Sequence, residues 1–105
     1  MPFIIDDLII AIGIALAAVG SIVLVEIAIL ALEELISWFN SIETINENDI
    51  GFTVKKAIED DKVTVIQGVF NKRTNQVTRA REIVSNKVDD KINEFHRNHQ
   101  VVIYE

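Results

Sequence analysis

From Leu8 to Val25 the chain carries eighteen consecutive uncharged residues, and the apolar pattern continues past Glu26 to Leu32. A bilayer core of about 30 Å is spanned by about 20 apolar residues in helical form. The run meets that length, so it predicts one transmembrane helix within residues 1–40, preceded by a short outer tail. A cleaved secretory signal fits less well, because Met1–Asp7 holds Asp6 and Asp7 and no basic residue. A buried helix in a small water-surrounded domain fits less well too. It would be apolar all round and too long for the remainder of the chain to wrap unless many copies buried it between them.

Charge divides at the same boundary. Residues 1–39 contain five acids and no Lys or Arg, whereas the rest holds eleven acids against ten bases, so the net charge of −6 belongs mainly to the apolar segment and its flanks. All basic residues follow the run, beginning with Lys55 and Lys56, and the positive-inside bias then predicts the N-terminus outside and the C-terminal domain in the cytoplasm. Trp38 and Phe39 are expected as interfacial anchors at the inner boundary.

Residues 41–52, rich in Asn, Ser and acids, read as a linker, and residues 53–105 as a small α+β domain of order α-β-β-α-β. Thr53 is suited to cap a short helix from Val54 to Asp60. Val63–Phe70 is β-branched and aromatic and reads as a strand, Asn71–Asn75 as a turn, and Gln76–Val84 as its hairpin partner. Ser85 or Asn86 is expected to cap a helix over Lys87–His96, and Val101–Tyr104 reads as a last strand lying beside one of the hairpin strands.

On a continuous helix, Gly13, Ala17, Gly20, Ser21 and Ala28 share one side and Ala11, Ala15 and Ala18 lie roughly opposite. Small residues let helices approach closely, so these two faces predict self-association in the membrane. Glu26 would be an off-centre intramembrane acid; the alternatives are a headgroup-seeking side chain or a ring lining an ion-conducting pore. Lys72, Arg73, Arg79 and Arg81 form a basic hairpin suited to lipid headgroups or a protein partner, with nucleic acid disfavoured because stacking aromatics are missing.

The absence of cysteine excludes a disulfide framework and thiolate metal sites. No cysteine joins His96 and His99, the nearby acids Asp89, Asp90 and Glu94 are placed as ordinary surface residues, and no nucleophile, phosphate loop or paired-carboxylate motif is visible, so no metal, cofactor or catalytic residue is expected. The sequence thus predicts a non-enzymatic, single-pass membrane protein. Its expected partners are membrane lipid, further copies of itself, and a protein bound by the cytoplasmic domain. The alternatives are an oligomeric pore organised around Glu26 and a membrane-tethered sensor of a ligand or nucleic acid.

Overall fold

The computed structural model describes residues 5–20, 22–42, 47–56 and 62–104. Within them the chain forms a small α+β domain with a mixed five-stranded sheet and three helices. Helix α1 covers Ile5–Ala17, strand β1 Val23–Leu30, helix α2 Leu32–Asn40, β2 Asp49–Lys55, β3 Val63–Asn71, β4 Gln76–Val88, helix α3 Asp90–Phe95 and β5 Val101–Tyr104. The strand order is β1-β4-β3-β2-β5, with β1 parallel to β4 and every other pairing antiparallel.

The long apolar run is therefore not one helix. Among the described residues no helix is long and apolar enough to cross a membrane. Helix α1 stops at Ala17, and the chain turns through Ala18–Gly20. Beyond it Val23, Val25, Ile27 and Ile29 are β-branched at every second position, the pattern of a pleated strand. Apolar length alone does not distinguish such a strand from a buried helix. What decides is a partner more than fifty residues away: Val23 through Leu30 pair with Arg81 through Val88.

Two apolar layers sandwich the sheet. On one face Leu8, Ile12 and Ala15 of α1 pack on Ile50 and Phe52 of β2 and Phe70 of β3. On the other face Leu35 of α2 and Ile92 of α3 join Leu30, Val65, Ile83 and Val88. Two glycines give seats to aromatic rings. A Cβ on Gly68 would lie 2.6 Å from the Phe52 ring and 2.9 Å from the Arg79 carbonyl, and one on Gly51 would lie 2.7 Å from the Phe39 ring.

The hairpin is formed as the sequence pattern implies. Asn71 Oδ1 accepts from the backbone N–H of Arg73 and Thr74, and Asn75 adopts φ 56°, a left-handed turn residue. Other segments differ. The expected linker overlaps β2, which begins at Asp49, while 43–46 lie outside the described residues. Val54 and Lys55 continue β2 rather than opening a helix, and residues 57–60 of that expected helix also lie outside the described residues. Strand β4 runs on to Val88 because β1 supplies partners for its second half; Asp89, not Ser85 or Asn86, caps α3, accepting from the Lys91 N–H at 3.0 Å. Strand β5 joins the sheet antiparallel to β2, not beside a hairpin strand.

Gly68→Ala is expected to destabilise the fold by about 1–3 kcal/mol, because the added methyl meets a ring and a backbone carbonyl. Gly13→Ala, in a helix with nothing within 4 Å of the new methyl, is expected to stabilise it by about 0.5–1 kcal/mol. Chemical denaturation of both variants measures the contrast.

Candidate functional site

Arg79, Arg81, Ile83 and Ser85 alternate onto the sheet face crossed by α2, opposite Val69, Gln67, Val65 and Val63 of β3. Leu35 of α2 enters the core there, so Glu34 and Trp38, four residues apart, flank the same patch of sheet. Beneath the helix lies Gln67, fully buried, whose Nε2 donates to the Leu35 carbonyl at 2.8 Å and whose Oε1 accepts from Arg81 Nε at 2.9 Å. The Arg81 guanidinium then reaches Glu34 Oε1 at 3.3 Å and lies 5.2 Å from the centre of the Trp38 ring. A charge this buried needs such pairing, and the aromatic face adds a further electrostatic contact.

Next to this network opens a cleft of about 500 Å³, lined by Val19, Val23, Val25, Trp38, Val77, Thr78, Ala80 and the two arginines Arg79 and Arg81. The Arg79 side chain is exposed and makes no ion pair or hydrogen bond among the described residues. The ladder between β1 and β4 begins at Val23 and Arg81, so the part of β4 preceding Arg81 has no strand on that side among the described residues.

The basic hairpin thus separates into three places. Lys72 and Arg73 are exposed at the turn, Arg79 faces the cleft, and Arg81 is a buried structural cation rather than a surface base. Trp38 and Phe39 are likewise absorbed by the fold: Trp38 covers Arg81, and Phe39 packs against Gly51, Trp38 and Tyr104. The small residues do not share one helix. Ala15 is buried and Ala11 packs beside it on the core side of α1, whereas Gly13, Ala17 and Ala18 are exposed; Gly20 is exposed in the following turn, Ala28 is exposed on β1, and Ser21 lies outside the described residues. Glu26 is exposed on β1, opposite Val84 of β4, and lines a shallow hollow with Lys62 and Asn86. It is not on a helix, so the geometry expected for a helical ring of carboxylates is absent.

The sequence reading missed a second polar cluster. His96 is buried at the end of α3, with Nδ1 2.9 Å from the His99 carbonyl and Nε2 2.8 Å from Thr53 Oγ1. The carbonyl only accepts, so Nδ1 carries the proton and neutral Nε2 accepts from the Thr53 hydroxyl. That hydroxyl lies 2.8 Å from the Tyr104 hydroxyl, which donates to it. Burial pushes the His96 imidazole below its ordinary value of 6.5, with Lys55 adding a smaller effect in the same direction against the opposing His99 hydrogen bond. Burial also raises the Tyr104 phenol, against a lowering by the Thr53 bond. The clue in the sequence was Thr53, read as a cap when its strand was read as a helix. Among the described residues no group of three or more His, Asp or Glu side chains is arranged to hold a metal ion.

Compared with protein-family models, with characterised proteins and with solved structures, the chain matches none.

Because His96 stays neutral in the fold below the pH at which an unfolded chain takes up its proton, its contribution to stability is full above about 6.5 and is lost as the pH falls below that value. Asp89, whose carboxylate is held low by the Lys91 and Leu32 N–H groups, acts separately, below about 3.8. Unfolding titrations across about pH 7.5 to 5 are expected to show falling stability in the native chain and a flatter profile in His96→Gln.

Proposed function

We propose that the chain is a non-enzymatic assembly module that associates with further copies of itself through the outer edge of β1. The observation that carries this reading is the character of that edge. Val23, Leu24 and Ile29 leave 69%, 56% and 64% of their surface exposed, on a strand of eight residues with a partner on one side only among the described residues. Sheet edges are ordinarily blunted by shortness, Lys or Pro. The opposite edge, β5, has four residues, all partly buried, whereas β1 has neither Lys nor Pro and a single charge, Glu26. A second β1 offers the same apolar groups and the same unpaired backbone. In an antiparallel pairing about a two-fold axis, Glu26 excludes the register centred on itself, where two carboxylates would face each other.

A second reading, attachment to a membrane, is favoured by the outer face of α1. Ile10 and Ile14 are 59% and 69% exposed, and with Gly13, Ala17 and Ala18 they form an apolar face that carries one charge, the exposed Asp7 of the first turn, among the described residues. In this reading the helix lies against lipid. The single-pass arrangement with its C-terminal part in the cytoplasm requires more: β1 must leave β4 so that Leu8–Leu32 forms one helix.

Light scattering after size exclusion is expected to find dimers or larger assemblies, and Leu24→Lys, at an exposed edge position, is expected to weaken them by about tenfold or more. A chain that stays monomeric at every concentration, or a variant that assembles like the native chain, contradicts the first reading. Co-flotation with lipid vesicles that is lost in Ile14→Glu supports the second.

A further inference from the structure

Beyond self-association, we propose that the cleft between β1, β4 and α2 binds an amphipathic carboxylate, a small acid on an acyl or aryl body, with Arg79 as the group that recognises the carboxylate. The volume, about 500 Å³, lies within the range of small-molecule sites. Its walls are of two kinds. Val19, Val23, Val25, Val77 and Ala80 supply apolar surface, and Trp38 supplies an aromatic face. Among the described residues, the only charged ones lining it are Arg79 and Arg81 and no acid lines it, although the chain as a whole carries −6. The local field therefore favours an anion against the sign of the whole protein.

The two guanidinium groups differ in availability. Arg81 is committed to Glu34 and Gln67, so its charge is already offset and its Nε–H is used. Arg79 has neither kind of partner among the described residues and presents its full set of donors. A guanidinium matches a carboxylate through two parallel N–H···O bonds, which gives direction as well as attraction. A bare inorganic anion would satisfy Arg79 and leave the valine walls in contact with water. An uncharged apolar molecule would cover the walls and leave Arg79 unused. Only a molecule with both parts uses the whole cleft.

Trp38 is the chain's single tryptophan, so its fluorescence reports on this cleft directly. The full chain is titrated with 4-phenylbutyrate, with the uncharged 4-phenylbutanol and with inorganic phosphate. The acid is expected to give a saturable change in Trp38 emission, with affinity reduced about tenfold or more for the alcohol and for the acid on Arg79→Gln. Arg73→Gln, at the hairpin turn, is expected to bind the acid like the native chain. No saturable change, equal affinity for acid and alcohol, native affinity in Arg79→Gln, or an equal response to phosphate alone overturns the proposal. The comparison of acid with alcohol uses the unaltered chain, so it holds whatever a substitution does to folding.

Discussion

The parallel pairing of β1 with β4 is the constraint on which the rest of the domain depends. It joins residues 23–30 to residues 81–88, and no shorter-range contact substitutes for it. It carries Leu30 into the core and places the Asp89 N–H on the Leu30 carbonyl at 2.8 Å. Asp89 then acts twice: Oδ1 accepts from Lys91 and caps α3, while Oδ2 accepts from the Leu32 N–H at the start of α2 at 3.3 Å. One carboxylate at the end of the ladder fixes where two helices begin. With α2 so placed, Leu35 reaches Val65 and Ile83, and its carbonyl meets Gln67.

The polar line from Leu35 through Gln67 and Arg81 to Glu34 lies along the inner side of α2. An ion pair between buried Arg81 and half-exposed Glu34 contributes little net stability, because desolvation of the guanidinium and solvent screening of the carboxylate offset most of the attraction. Its effect is on uniqueness. With α2 shifted by a turn, Gln67 and Arg81 would be buried without partners, at about 1–3 kcal/mol for each lost hydrogen bond. The Ser85 hydroxyl, buried and without a hydrogen-bond partner among the described residues, shows that the same face tolerates one such cost. Arg79, whose side chain has no ion-pair or hydrogen-bond partner among the described residues, and the cleft stand beside this line, and apart from Val19 in the turn after α1 the described walls belong to strands and a helix.

Local pattern made one part of this fold readable and long-range pairing hid the other. Val63–Asn71, the Asn-rich turn and the start of β4 were legible because β-branched runs and turn residues stand next to each other in sequence. Val101–Tyr104 was legible as a strand, though not its neighbour. Val23–Leu30 was not, since a strand that carries apolar residues on both faces reads like part of a helix when the partner lies far along the chain. Two further misreadings followed from that one. The ladder with β3 ends at Ser85, so without β1 the last residues of β4, Lys87 and Val88, had nothing to pair with and passed for the start of a helix. Arg81 likewise passed for a surface base, because nothing in the hairpin alone shows that α2 lies over it. Of the candidate cleft, Arg79 and Trp38 were singled out separately, and only the fold puts them in one place.

Nuclear Overhauser contacts along residues 8–32 in the isotope-labelled chain test the central claim most directly. Cross-strand backbone contacts from Val25 to Ile83 and from Ile27 to Ser85, with helical contacts ending near Ala17, are the predicted result. Uninterrupted helical contacts from Leu8 to Leu32, with none to Arg81–Val88, would contradict it.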